Sequence, residues 1–516
     1  MTITLTPTGL QPDEVVAVAR TGAPVTLHAS AIDAINSGRA AIEALAVSTT
    51  PVYGVSTGFG ALANVSIAAD QRTELQKAIV RSHAAGVGEP VPVEIVRAMM
   101  VLRLKTLASG RTGARLETAQ AMADLLNNHI TPVVPEFGSL GCSGDLAPLA
   151  HCALALMGEG LVWSGGEQVP AAEALRRHGL APITLAEKEG LALLNGTDGM
   201  LGMLLMALAD LSSLMDSTDV VAAMSVEALR GTDSVFDPEL HKGVRQHPGQ
   251  AASAAIMWAS MADSEIVASH TDDPTQVQDA YSLRCAPQVS GAVRDIVDFV
   301  GTVCQRELAS TIDNPIVMPD GSVRSNGNFH GAPLAHAADY LAIALADLAS
   351  ISERRTDRML DTARSYGLPA FLAGDPGVDS GLMIAHYTQA SVVAEMKRDA
   401  TPASVDSIPT SAMQEDHVSM GWNAGMKLRR SVANLQHVVG IELMTACRAL
   451  DMRRPLTPSP VSAAVTTVVR ESIDGTGPDR FLSPEMSAAS AIVASGAVVH
   501  AAKQAMASTS RGCPLS

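Results

Sequence analysis

The sequence predicts a mainly α protein, with an N-terminal mixed domain carrying Gly-rich loops over residues 1–200 and an elongated bundle of long helices over residues 201–516. Three observations predict this. Apolar residues recur at helical spacing over long segments from Ile67 onward. The hydrophobic fraction is 47% but aromatics make up only 3%, and a core of small, flexible aliphatics favours helix-on-helix packing over a β-sandwich. Most Gly-rich turns fall before residue 200, where the elements are shorter.

Taken in order, 68–85, 93–107 and 115–128 read as the first helices. Pro132 and Pro135 end that run, because proline lacks the amide a helix needs. A Gly/Ser-rich stretch, GSLGCSG, follows at 138–144. Beyond Asn195 the segments lengthen to 200–224, 334–364, 417–450 and 483–508. At about 25 to 35 residues each they span roughly 40 to 50 Å. Loops near 272–282, 315–331 and 400–415 separate them. Long bundle helices with apolar faces often pack across subunits, so a homo-oligomer is expected.

Composition excludes several classes. A formal charge of -17 disfavours nonspecific binding to nucleic acid or anionic membranes. The six cysteines, Cys142, Cys152, Cys285, Cys304, Cys447 and Cys513, form no CxxC pair and read as reduced thiols. The N-terminus has no basic residue before Arg20 and no apolar core of a secretory signal, so the expected compartment is the cytoplasm. The apolar stretch 200–224 carries Asp210, Asp216 and Asp219, which would be costly in lipid, and reads as a buried core helix. The terminal Cys-Pro-Leu-Ser superficially fits a prenylation box, but the proline and the lack of an upstream basic patch argue for coincidence.

The segment GSLGCSGDLAPLAH at 138–151 carries the chemistry. One reading is a turn capping a helix, with Ser143 or Asp145 as N-cap, and spacing alone favours it. A serine-nucleophile elbow needs Gly-x-Ser-x-Gly and fails, because Asp145 stands where the second glycine belongs. A third reading uses the backbone. If the Gly144 amide nitrogen attacks the Cys142 carbonyl carbon, a five-membered ring closes. One water leaves from that carbonyl and a second from the Ser143 side chain, generating an exocyclic methylene. Glycine at 144 leaves the attack unobstructed, Ser143 supplies the leaving hydroxyl, residue 142 contributes mainly its carbonyl, and Asp145 could move protons during closure.

This loop resembles the cofactor-forming loop of the histidine/phenylalanine ammonia-lyase family, in which Ala-Ser-Gly becomes 4-methylideneimidazole-5-one; here cysteine replaces the commonest alanine. Six further blocks carry the resemblance in the family's order. They are VYGVSTGFG at 52–60, SHAAGVG at 82–88, GLALLNGT at 190–197, QDAYSLRCAPQ at 278–288, NGNFHG at 326–331 and SVDSIPTSAMQEDHVSMG at 404–421. The resemblance implies that Cys142-Ser143-Gly144 forms the prosthetic group autocatalytically, with no external cofactor and no metal. It further implies a tetramer of D2 symmetry whose active sites gather residues from three chains.

The resemblance also assigns roles. Tyr53 matches the base that removes the substrate β-proton, which requires a phenol ionised well below its ordinary range. Tyr281 falls in the catalytic set beside Arg284. Arg284 matches the carboxylate clamp, suited by its planar two-donor fork, and Gln278 lies beside it. Asn195 matches the asparagine that binds substrate or the cofactor's oxygen, and Phe329 the aromatic packed near the prosthetic ring. His83, in Ser82-His83-Ala84, resembles the histidine-using branch. Glu415 matches the carboxylate that contacts the substrate imidazole, a charge-assisted contact that a phenyl ring lacks. Met413 stands where many relatives have asparagine.

The expected reaction is elimination of ammonia from L-histidine to give trans-urocanate, the first step of histidine degradation. Competing readings are an ammonia-lyase or aminomutase of the same family acting on tyrosine or phenylalanine, and a non-catalytic helical scaffold. The scaffold would be expected to lack Ser143, Tyr53 or Arg284, and all three are present. A metal enzyme is disfavoured, since no HExxH appears and Pro333 intervenes between His330 and His336. A fumarase-like loop and a dinucleotide fingerprint are also missing from the sequence.

Overall fold

The computed structural model describes residues 2–46, 57–58, 67–271 and 277–515. It is mainly helical, with short strands and helices first and long helices after. The longest helices are Asp198–Ala228, Ala332–Leu360 and Gly421–Asp451. Three others, Ala29–Ala46, Ala286–Ala309 and Met383–Asp399, were not singled out by periodicity. The segment expected as one helix over 483–508 is two, Ser483–Ala494 and Ala497–Met506, bent by 61° where Gly496 takes φ +76°.

The chain divides into two compact units. The first comprises Met1–Met206, Gly301–Asp339 and Pro402–Met426; the second comprises Ala207–Val300, Tyr340–Thr401 and Lys427–Ser516. Each unit therefore draws on three stretches of chain, whereas the sequence reading drew a single boundary at residue 200.

The first unit is organised around the Val93–Ala108 helix, in which every residue from Ile95 to Ala108 is buried. A helix apolar on all sides belongs in a core, and its three buried charged residues must find partners there. Arg97 donates to the Val18 and Leu126 carbonyls. Lys105 donates to the Ser310 carbonyl, and Arg103 meets Asp198. Short sheets tie the loops to this core. Val87–Pro90 pairs antiparallel with Pro135–Phe137, and Thr131–Pro132 joins Leu161–Ser164 and Glu167–Pro170 in a three-stranded sheet. The first pairing sets the residues after His83 beside the strand that leads into the Cys142 loop.

The second unit is helical. Its core holds a buried carboxylate, Glu442, which accepts from Arg355 Nη2 at 2.9 Å and from Ser225 Oγ at 2.7 Å. Among the described residues two helical stretches would suffice by length and composition to cross a bilayer, but their most apolar windows are 94% and 67% buried inside the protein. The 94% figure belongs to the stretch containing 200–224, where the sequence predicted a core helix.

Candidate active site

The strand Pro135–Phe137 ends in the loop that carries the tripeptide, and the helix Leu146–Leu156 begins just after it. Asp145 occupies the N-cap position of that helix, but its side chain does not cap it. Its Oδ2 instead accepts from the amides of Gly199 and Met200 at 2.8 and 3.0 Å, and its Oδ1 from Ser139 Oγ at 3.1 Å. Asp145 thus caps the first turn of the Asp198–Ala228 helix. It is fully buried, and burial pushes its carboxyl up to about 7 against the pull of those donors. A carboxyl poised there is suited to give and take protons near neutrality.

Gly144 is fixed by two constraints. Its φ is +78°, in the left-handed region that favours glycine. A Cβ there would also lie 2.3 Å from the Gly196 carbonyl oxygen and 2.6 Å from its carbonyl carbon. The Asp145 amide donates to that same oxygen at 2.7 Å. The turn before the long helix therefore presses directly on the tripeptide. Behind Gly196 lies Arg103, fully buried, with Nε 3.0 Å from Asp198 Oδ2 and further bonds to the Ala192 and Ile312 carbonyls.

Ser143 Oγ donates to Asn195 Oδ1 at 3.2 Å, and Asn195 Nδ2 donates to the Asn314 carbonyl at 2.9 Å. Asn314 is held in turn by the buried Lys188–Asp313 ion pair at 2.6 Å, since Asp313 accepts the Asn314 amide. On the other side of the loop the Gly141 carbonyl accepts from Ser419 Oγ at 2.7 Å and from the Gly331 amide at 3.1 Å.

The Cys142 thiol donates to Glu415 Oε2 at 3.4 Å, and the Thr410 hydroxyl donates to the same oxygen at 3.0 Å. Burial, with the Glu415 charge adding to it, pushes the thiol up to about 12. His83 ends the Arg72–His83 helix, where Ser82 Oγ lies 3.1 Å from its Nδ1. Burial lowers its pKa, opposed by the backbone carbonyl of Ile79 and by the charge of Glu415. The Gly86 amide, just beyond, donates to His151 Nε2 at 3.2 Å.

The first unit therefore gathers Cys142, Ser143, Gly144, Asp145, Asn195, His83 and Glu415. Phe329 is half-buried in the loop before the Ala332–Leu360 helix. The second unit holds Tyr281, Arg284 and Gln278. The Arg284 guanidinium lies 4.8 Å over the Tyr281 ring, and its Nε is buried without a hydrogen-bond partner among the described residues. An unpaired guanidinium N–H of this kind suits a carboxylate. Tyr281 and Gln278 are exposed. Tyr53 lies outside the described residues.

The sequence reading missed Arg103, Gly196, Asn314, Thr410 and Ser419 as parts of the site. Gly196, Thr410 and Ser419 lie within quoted blocks, which was their only signal. Arg103 and Asn314 lie in none. Among the described residues no group of three or more His, Cys, Asp or Glu could hold a metal ion.

This arrangement holds the Cys-Ser-Gly tripeptide under a pressing turn, with the buried Asp145 carboxyl behind it and the Glu415 carboxylate in hydrogen-bond reach of Cys142. The family profile described as aromatic amino acid lyase matches residues 10–471. The chain belongs to the aromatic amino acid lyase family. It is accordingly a lyase, and membership implies a 4-methylideneimidazole-5-one prosthetic group. A histidine ammonia-lyase of Streptomyces avermitilis is 60% identical over 504 residues, covering 97% of this chain and 98% of the relative. Among solved structures, a histidine ammonia-lyase from Trypanosoma cruzi matches with a TM-score of 0.89 at 39% identity, covering 98% of this chain and 96% of that one. A tyrosine aminomutase from Streptomyces globisporus matches with a TM-score of 0.92 at 35% identity, covering 97% and 98%. Backbone similarity therefore does not separate these chemistries; side chains must.

Proposed function

We propose that this chain is a histidine ammonia-lyase, eliminating ammonia non-oxidatively from L-histidine to give trans-urocanate, the first step of histidine degradation. The observation that carries this reading is the 60% identity, over almost the whole of both chains, to a relative bearing that name. Glu415, within hydrogen-bond reach of Cys142, supports it, because a carboxylate gives an imidazole ring a charge-assisted partner.

The prosthetic group would arise from Cys142-Ser143-Gly144. The Gly144 nitrogen bonds to the Cys142 carbonyl carbon, whose oxygen departs as water, and Ser143 loses its hydroxyl and α-proton as a second water. The residues fit this closure: no side chain blocks the Gly144 nitrogen, the Ser143 hydroxyl is held by Asn195, and Asp145 can carry protons. The finished group supplies an electrophilic methylidene carbon, which makes the substrate amine a leaving group.

The remaining work falls to the chain's own residues. Arg284 takes the substrate carboxylate through its unpaired donors, with Gln278 beside it, and Tyr281 holds the guanidinium through its ring face. His83 and Glu415 orient the imidazole. Asn195 would present its amide to the substrate or to the oxygen of the prosthetic group, and Phe329 would pack against its ring. Tyr53 removes the β-proton. This is positional and electrostatic catalysis in a site kept from water. We place the enzyme in the cytoplasm, in keeping with six unpaired cysteines, as a homotetramer whose sites draw on more than one chain, with L-histidine as its small-molecule partner.

Intact mass and turnover test the reading together. The purified chain should be two waters lighter than its sequence, and Ser143→Ala should retain one of them as a ring or both as open chain, with activity lost. L-Histidine should give a conjugated, ultraviolet-absorbing product much faster than L-phenylalanine or L-tyrosine. Preference for either aromatic substrate, or formation of a β-amino acid, would overturn the assignment.

A further inference from the structure

Ring closure leaves the side chain of residue 142 without a task, yet the Cys142 thiol is buried and aimed at Glu415 Oε2, 3.4 Å away. The Thr410 hydroxyl reaches the same oxygen at 3.0 Å. Both described side-chain bonds to this carboxylate run to one oxygen, and Oε1 receives none of them. The backbone reinforces this asymmetry. Thr410 and Glu415 form an antiparallel bridge, with the Thr410 amide 3.0 Å from the Glu415 carbonyl. That bridge closes a tight loop in which Ser411, Ala412 and Met413 all take positive φ, between 53° and 68°. Non-glycine residues adopt this conformation at a cost, which the surrounding structure must offset. The loop fixes where Glu415 starts, and two donors fix how it is turned.

We propose that Cys142 is a specificity-positioning residue: its thiol and the Thr410 hydroxyl pin one oxygen of Glu415, leaving the other to meet the ring of the substrate. The inference rests on the reading of Glu415 as the imidazole-binding carboxylate. Its physical basis is preorganisation. A glutamate free to rotate must be ordered when the substrate binds, and a glutamate already held has met that cost in the folded protein. Alanine at 142 would close the same ring but could not donate. The burial that keeps the thiol protonated keeps it a donor throughout the working pH range. Cys142 acts through Glu415 and needs no contact with the substrate.

The test uses the assembled full-length enzyme with Cys142→Ala, Cys142→Ser and Thr410→Val. The probes are two non-reactive ligands, 3-(imidazol-4-yl)propanoate and 3-phenylpropanoate, followed by calorimetry, together with KM and kcat for L-histidine. Cys142→Ala and Thr410→Val should each weaken the imidazole ligand by about 3- to 10-fold, the range of one hydrogen bond. They should raise KM by a similar factor and leave the phenyl ligand unchanged, since it makes no bond to Glu415. Cys142→Ser, which restores a donor, should recover most of the loss. Equal weakening of both ligands would mark a general collapse of the pocket and overturn the proposal, as would wild-type affinity for the imidazole ligand in both Cys142→Ala and Thr410→Val. Because the ligand readout does not require turnover, it stands even if a variant closes its ring poorly. A wild-type enzyme inactive on L-histidine would overturn the proposed function and this inference with it. Wild-type activity with unchanged binding in the variants would overturn this inference alone.

Discussion

Asp145 shows how one side chain serves structure and chemistry together. Its carboxyl sits at about 7, because full burial outweighs the three donors that favour its charge. An acid whose folded pKa lies above its unfolded value stabilises the fold fully below the ordinary carboxylate range, and that contribution is lost as pH rises through about 7. Urea midpoints of the wild type should therefore fall between about pH 4 and pH 7 more steeply than those of Asp145→Asn, whose amide does not titrate. Parallel curves would show that the Asp145 proton is not held as the buried geometry requires. At this scale the sequence was legible where chemistry names atoms. An exocyclic methylene needs a leaving hydroxyl at 143 and ring closure needs no side chain at 144, so the two residue types could be proposed once the resemblance singled out the loop. That Asp145 caps a different helix from the one it precedes could not be read, because Gly199 and Met200 come to it only through folding. Met413 is a similar case. The sequence marked it as unusual, and the structure adds that it takes φ +68°, a conformation asparagine adopts more readily.

Among elements, long helices with an unbroken apolar stripe were legible and others were not. The Asp198–Ala228 helix is apolar enough to be found by composition. The Met383–Asp399 helix is not, because Ile384 and Tyr387 stand exposed on the face that should read as polar. The most consequential element for the site is the Val93–Ala108 helix. Its helical span was legible, but the three buried cations within it could not be interpreted from spacing. Arg103 supports the turn that presses on Gly144, and it does so as half of a buried ion pair with Asp198. Removing one partner of such a pair leaves an uncompensated charge, at a cost of about 3–5 kcal/mol. Arg103→Met should lose stability of that order in urea denaturation, and its chain should be slower to shed two waters after refolding. A loss below about 1 kcal/mol, typical of an exposed pair, would remove Arg103 from the account of how the turn is held.

For the whole molecule, the isolated chain leaves large apolar side chains in water. Tyr281 is 71% exposed and Tyr387 67%, and Phe299 and Tyr340, which meet edge-to-face at 6.2 Å, are both about half exposed. A residue that works in a water-excluded site does not fit such exposure, and the proposed assembly of several copies of the chain would cover it. Exposed aromatics on helical faces are what such an interface would bury. If Tyr281 and Ser143 of one working site come from different chains, two inactive enzymes should repair each other. Ser143→Ala and Tyr281→Phe should each lower kcat by about 100-fold or more. Unfolded together and refolded as mixed assemblies, they should regain activity, because some sites then receive both intact residues. Random 1:1 mixing would restore roughly a quarter of the sites. Mixed assemblies, verified by native mass spectrometry, that remain as inactive as their parents would show that each site draws both residues from one chain. The proposed homotetramer would then be a scaffold for four separate sites, and the exposure of Tyr281 would need another cover.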